Sequence, residues 1–292
     1  MRVGFIGLGN MGQPMAANIL DAGYPLTVHD TRRQTGRELE GAGAAWAEGP
    51  KAVAVRSEVV FTSLPGTEAV EQVVLGDNGV FAGLAAGTTY VDTSTIAPSA
   101  ARRISALGAE RGLRVLDAPV SGGIFGARDA TLTLFVGGDA ADLELVRTVL
   151  ETIGGKIVHA GPAGAGNVIK LINNLMMYVN FIGACEGVAM SARAGIDLQL
   201  LLDAVTASMG QSRIFERTLS LFLNNAQMGA TTDLAVKDMC LGVELGSELG
   251  VPLDVSTPVR DLIVRFRDGG DRGQDEFTDM IPDLLRRSGV DV

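Results

Sequence analysis

Cysteine, histidine, lysine, aromatic residues and positive charge are all scarce in this chain, and each scarcity excludes something. The two cysteines, Cys185 and Cys240, have neither the number nor the spacing for a zinc cluster or a disulfide framework, and read as core or interface residues. No metal site is expected. Twenty-four Lys and Arg against 34 Asp and Glu give a formal charge of −10, aromatics are 5%, and no Lys/Arg-rich run occurs, so the electrostatic footprint of a nucleic-acid binder is missing. No stretch of about 18 apolar residues runs without a polar or charged interruption. The N-terminus opens directly on the strand-like Val3-Gly4-Phe5-Ile6 rather than on a basic segment followed by an apolar one. The expectation is a cytoplasmic protein with neither nucleic acid nor membrane as partner.

What is present is a globular composition, 47% hydrophobic and 20% charged over 292 residues, enough for one large domain or two ordinary ones. From Val3 to about Ala160, short apolar runs alternate with helical patterns. Strands are predicted at Val3–Ile6, Leu26–Val28, Val59–Phe61, Thr89–Val91, Arg114–Leu116, Leu132–Val136 and Lys156–Val158, with a helix over Met11–Ala22. Such alternation implies a parallel sheet with helices on both faces, an α/β domain of the Rossmann type. After Gly161-Pro162 strand signals stop. The predicted division is therefore a dinucleotide-binding domain over 1–162 and an all-α domain over 163–292. The second begins with a long interdomain helix over about 163–193, apolar nearly all round and so expected to be buried on most faces. Further helices are expected near 197–208, 212–225, 232–249 and 258–267, and Asp268-Gly269-Gly270-Asp271 reads as a surface loop.

Gly7-Leu8-Gly9-Asn10-Met11-Gly12 is a G-x-G-x-x-G directly behind a strand and before a helix, the context that makes it a pyrophosphate-binding turn. Gly7 permits the turn, Gly9 lets backbone N–H groups approach the phosphates, and Gly12 lets the helix pack on the strand. Asp30 ends the second strand about 20 residues further on, where a carboxylate accepts hydrogen bonds from ribose hydroxyls, which favours NAD. It can also cap the helix that follows. Arg32 and Arg33 come next and can counter the repulsion of a 2′-phosphate, which keeps NADP possible.

Hydride transfer from a carbinol needs a group that handles the hydroxyl proton. His29 lies at the adenosine end and His159 at a strand end, both more in keeping with structural roles. The three tyrosines are followed four residues later by Val28, Ser94 and Ile182, so a Tyr-x-x-x-Lys pair is missing. Of four lysines, Lys170 stands inside the apolar helix, with Asn174 one turn on and Asn173 beside it. Desolvation disfavours an ammonium there and draws its pKa toward the working pH. The alternative is a lysine that snorkels to solvent or pairs with a buried carboxylate. Asp117-Ala118-Pro119-Val120-Ser121-Gly122-Gly123 follows a predicted strand, and consecutive N–H groups of a Ser-Gly-Gly turn suit a carboxylate; by itself the segment is a flexible loop.

Together these motifs resemble the β-hydroxyacid dehydrogenase family, which includes 3-hydroxyisobutyrate dehydrogenases and tartronate semialdehyde reductases. The resemblance rests on Gly7 to Ala16, Asp117 to Gly123, Gly161-Pro162-Ala163-Gly164-Ala165-Gly166 leading into Lys170 and Asn174, and Lys237-Asp238, and it covers nearly the whole chain. It implies Lys170 as general acid/base, Asn174 positioning the reacting oxygen, and Ser121, Gly122 and Gly123 holding a substrate carboxylate. It implies further that Leu64-Pro65 and Thr95 line the nicotinamide side, that Lys237 closes over the cofactor with Asp238 nearby, and that homodimers or homotetramers build on the long helix. Arg213 falls where family members shape the substrate pocket and is either a second anion contact or an exposed charge. One departure is Ala130, where the family often has glycine.

The expected function is an oxidoreductase moving a hydride between NAD(P) and a small 3-hydroxy carboxylic acid or its semialdehyde. The rivals are an imine reductase on the same scaffold, against which Lys170 speaks, and a dinucleotide-binding interaction domain without catalysis.

Overall fold

The computed structural model describes residues 1–290. The chain divides into two compact units, Met1–Lys170 and a second from Leu171 onward.

In the first unit the elements run β1 (Val3–Ile6), α1 (Gly12–Asp21), β2 (Leu26–His29), α2 (Arg37–Gly41), β3 (Ala45–Trp46), α3 (Pro50–Val55), β4 (Val59–Thr62), α4 (Thr67–Leu75), β5 (Thr89–Asp92), α5 (Pro98–Ala109), β6 (Arg114–Asp117), β7 (Val120–Ser121), α6 (Gly123–Arg128), β8 (Leu132–Gly137), α7 (Ala140–Leu150) and β9 (Gly154–Gly161). The strand order β3-β2-β1-β4-β5-β6 is all parallel and is the doubly wound order of a Rossmann sheet. Every residue of β1, β4 and β5 is buried, because helices cover both faces. Alternate side chains feed separate cores: Phe5, Phe61 and Val91 enter one, with the paired Phe5 and Phe61 rings 6.1 Å apart, and Ile6, Val60 and Tyr90 enter the other.

The parallel sheet expected is found, and two features at one edge depart from parallel pairing. β8 runs antiparallel to β6 and β7, and β9 is parallel to β8. β6 and β7 are one interrupted strand, since Asp117, Val120 and Ser121 oppose Gly137, Leu134 and Thr133 in a single continuous register. Pro119 has no N–H to give, but its carbonyl accepts from Phe135 across the gap. Alternation of apolar runs and helices points to parallel pairing, as in β1 to β6, but does not fix the direction of every strand, and β3 and β7, two residues each, are too short to show a period.

Helix α8 (Ala165–Arg193) starts in the first unit and continues through the second. The second unit adds α9 (Leu198–Thr206), α10 (Arg213–Leu223), α11 (Thr232–Glu248), α12 (Ser256–Asp268) and α13 (Met280–Arg287), the last not predicted. Asp197, Ser212 and Thr231 cap α9, α10 and α11 by accepting first-turn N–H groups. Tyr178 and Phe181 of α8 meet the Phe277 ring edge to face in the core of this unit. A Cβ on Gly242 would lie 2.7 Å from Leu175, so α11 approaches α8 closely only because that residue is glycine.

The most apolar eighteen-residue window of α8 is long and apolar enough to cross a membrane, with a mean hydropathy of 1.4. Its inner face is instead filled by the core just described. The expectation that α8 is buried on most faces is not met within the chain: Ile172, Met176 and Met190 are 48%, 62% and 72% exposed. The helices of the unit are too few to surround it.

Candidate active site

The glycine-rich turn leaves β1 where the strand order reverses, between β2 and β4. A Cβ on Gly7, whose φ is 93°, would sit 2.2 Å from the Ser63 carbonyl, and one on Gly12 would sit 1.9 Å from the Gly7 carbonyl. Both positions therefore exclude any side chain. A Cβ on Gly9 would meet nothing within 4 Å among the described residues beyond its own chain neighbours, so the backbone there faces open space. No side chain caps α1 and its first turn carries no acid, which leaves its positive end and unpaired donors available to an anion. This cradle fits the pyrophosphate of a dinucleotide.

Asp30 stands at the end of β2, its side chain 9% exposed. Its Oδ2 accepts the Leu8 N–H at 2.7 Å and its Oδ1 the Arg32 N–H at 2.8 Å, with Arg32 Nε 3.5 Å from Oδ1. A carboxylate offers about four acceptor sites, so capacity remains for ribose hydroxyls. The loops after β4 and β5 are joined: Leu64 donates its N–H to Ser94 Oγ at 2.9 Å, which brings Leu64-Pro65 beside the Thr95 segment.

Beneath those loops lies Asp92, fully buried. Its Oδ1 accepts from Thr62 Oγ1 at 2.8 Å and from the Ser94 N–H at 3.1 Å, while Oδ2 has no hydrogen-bond partner among the described residues. Burial pushes its pKa up to about 6 against these hydrogen bonds. Thr62 Oγ1 is also 2.7 Å from the Tyr90 hydroxyl, whose pKa burial raises as well.

Asp117, at the end of β6, fixes the start of α8. Its Oδ1 accepts the Gly164 N–H at 2.7 Å, and its Oδ2 accepts the Asn167 N–H at 2.9 Å and the Asn167 side-chain amide at 3.3 Å. Glycines make room for it, since a Cβ on Gly137 would be 2.3 Å from Oδ1 and one on Gly166 2.9 Å from Oδ2. Burial raises the Asp117 pKa, opposed by these donors. Asn167, wholly buried, accepts the Ile96 N–H at 2.9 Å, so α8 is also tied to the residue after Thr95. Lys170, half-buried, follows three residues along the same helix.

Ser121 ends β7, and Gly122 and Gly123 follow with φ of 139° and 66°, a backbone only glycine adopts freely. The segment read as a flexible loop is a strand-to-helix junction, with α6 starting at Gly123. Ala130 has φ 54°, the left-handed region, which accounts for the glycine expected there.

Asn174, 2% exposed, stands one turn beyond Lys170 on α8. It donates Nδ2 to Asp238 Oδ2 at 2.7 Å and accepts from Asn173 at 3.1 Å, and Lys237 Nζ is 3.0 Å from Asp238 Oδ1. Arg213 is exposed at the first position of α10. His29 Nδ1 and His159 Nε2 each lie 2.9 Å from a backbone carbonyl, of Ala47 and Gly138.

Sequence reading missed Asp92, Asn167 and the anchoring role of Asp117. A signal existed for the two acids: each ends an apolar strand on the edge of the sheet where ligands bind.

A doubly wound unit with a glycine-rich turn at its switch point, followed by an all-helical unit, is the build of a nicotinamide-dependent dehydrogenase. The family described as the NAD binding domain of 6-phosphogluconate dehydrogenase matches residues 2–161, and the one described as NAD-binding of NADP-dependent 3-hydroxyisobutyrate dehydrogenase matches residues 164–282. The 2-(hydroxymethyl)glutarate dehydrogenase of Eubacterium barkeri is 34% identical over 297 residues, spanning 100% of this chain and 97% of that one. The NAD-dependent L-serine dehydrogenase of Pseudomonas aeruginosa is 44% identical over 209 residues, 72% of this chain and 70% of its own. The solved structure of Mycobacterium tuberculosis 3-hydroxyisobutyrate dehydrogenase with L-serine superposes with a TM-score of 0.88 at 32% identity, over 97% of this chain and 99% of that one. An imine reductase of Myxococcus stipitatus, at 22% identity and a TM-score of 0.67 over 98% of this chain and 100% of its own, shares the fold alone. The chain belongs to the β-hydroxyacid dehydrogenase family. It is an NAD(P)-dependent oxidoreductase acting on the CH–OH group of hydroxy acids.

Proposed function

We propose that the protein interconverts a small 3-hydroxy carboxylic acid and its semialdehyde, with NAD preferred, and that Lys170 is the general acid/base. The substrates named for its relatives, 3-hydroxyisobutyrate, L-serine and 2-(hydroxymethyl)glutarate, share one core, a CH₂OH group on the carbon that bears a carboxylate. The variable group on that carbon is where they differ.

The observation that carries the assignment is the double anchoring of α8 at Asp117 and at Ile96, one turn before Lys170. A lysine held there is registered against the Thr95 segment and the strand that leads to Ser121. The bound nicotinamide supplies the hydride acceptor. The Ser121 hydroxyl and the Gly122 and Gly123 N–H groups take the substrate carboxylate and orient it. Neutral Lys170 accepts the hydroxyl proton at Nζ, and as ammonium returns it to the nascent alkoxide in reduction. Asn174, with one amide hydrogen committed to Asp238, offers the other to the reacting oxygen. Asp30 selects against a 2′-phosphate by charge.

Lys170→Ala is expected to lower turnover roughly 10²–10⁴-fold in an NAD(P)H absorbance assay across short 3-hydroxy acids, with cofactor affinity near wild type. Near-normal turnover in that variant would remove Lys170 from the mechanism.

A further inference from the structure

The two arginines that follow Asp30 are both occupied by carboxylates. Arg32 lies 3.5 Å from Asp30 itself. Arg33 reaches away to α2, where its Nη2 lies 2.8 Å from each Glu40 carboxylate oxygen, and its guanidinium stacks 4.3 Å over the Trp46 ring. The ring is itself fixed. Trp46 pairs with Val28 on the edge strand β3, and Gly36 packs so closely on the ring that a Cβ there would lie 2.6 Å from it. Its other neighbour is the His29 ring at 5.5 Å.

A 2′-phosphate brings up to about two negative charges, and in Rossmann sites a nearby arginine accommodates it. Here the one arginine of that loop not beside Asp30 is held by a charge-assisted pair and by cation–π stacking. Glu38 and Glu40 add negative charge to the same edge, Glu38 accepting from Gln13 at 2.6 Å. The charge of Asp30 opposes a 2′-phosphate on the proposed reading, and the Arg33–Glu40 pair bears on a separate question, whether Arg33 can compensate for that charge.

We infer that Glu40 is a specificity-determining residue, which withholds Arg33 from the 2′-phosphate of NADP by latching it onto Trp46. Glu40 touches no cofactor and acts through Arg33, as a positioning residue. The inference rests on the reading that Asp30 faces the adenosine ribose.

The test is equilibrium titration of the apo-enzyme with NADPH and NADH, followed by Trp46 emission; Trp46 is the only tryptophan of the chain and lies under Arg33. Glu40→Gln should tighten NADPH about five- to tenfold, the size expected for freeing one partly exposed charge, and leave NADH within about twofold. Arg33→Ala alone should change neither affinity by more than about twofold, and Glu40→Gln/Arg33→Ala should lose the gain. The inference is overturned if Glu40→Gln leaves NADPH affinity unchanged. It is overturned equally if the gain persists without Arg33, or if Arg33→Ala weakens NADPH in the wild-type background. Asp30→Ala separates the two levels: unchanged NADH affinity there removes the placement of the ribose, whereas weakened NADH binding with an unresponsive Glu40→Gln removes only the latch. Thermal melts of each variant exclude unfolding as the cause.

Discussion

Asp117 and Asn167, 50 positions apart in the chain, meet at a single carboxylate oxygen, which accepts both the backbone N–H and the side-chain amide of the asparagine. No side chain local to the start of α8 can do this, because Pro162-Ala163-Gly164-Ala165-Gly166 offers no acceptor. The first-turn donors of the helix are instead satisfied from β6, with the carboxylate at the positive end of the dipole. The position of the lysine is thereby set by a strand, not by its own helix.

Asn167→Ala should leave the buried Ile96 N–H without its acceptor and Asp117 with one donor fewer, costing about 1–3 kcal/mol. A lower unfolding midpoint together with a reduced kcat is expected, since Lys170 is one turn away. Unchanged denaturation and turnover would show that the node is dispensable.

Gly9→Ala and Gly12→Ala should separate binding from folding. At Gly12 the new Cβ would fall 1.9 Å from a backbone carbonyl, so the β1–α1 turn has to open and thermal stability falls. At Gly9 it meets nothing within 4 Å among the described residues beyond its own chain neighbours, so the melting curve should match wild type while dinucleotide affinity drops. Normal cofactor binding by Gly9→Ala would move the pyrophosphate elsewhere.

Asp92 gives a pH dependence of stability. Its folded pKa, about 6, exceeds the ordinary 3.8, so the fold favours the neutral acid more than the unfolded chain does. The associated stability is complete below about pH 3.8 and is lost as pH rises through about 6. Relative to wild type, Asp92→Asn should therefore gain stability by up to ~3 kcal/mol between pH 4 and pH 7, whatever its offset at the acid end. Parallel urea midpoints across that range would contradict this.

The exposed apolar stripe of α8 is where a second copy is proposed to sit. Met176→Glu should place a charge in that contact and shift the mass in solution toward a monomer, read by light scattering. A wild-type mass unchanged by the substitution would place any assembly on another face.

The sequence alone determined a good deal here, for a physical reason in each case. Buried parallel strands are largely apolar, so the runs of β1, β4 and β5 stand out of the chain. Close backbone approaches tolerate only glycine, so the Gly7–Gly12 turn declares itself, and a lysine within an apolar helix is costly enough to be noticed. What only the tertiary structure decided depends on partners far apart in the chain. It turned β8 antiparallel, drew α8 onto Asp117, placed Asn167 against Ile96, and sent Arg33 to Glu40 and Trp46. Hydrogen bonds and stacked charges between groups from seven to 71 positions apart leave no period in a sequence, because each joins two groups that only the fold brings together.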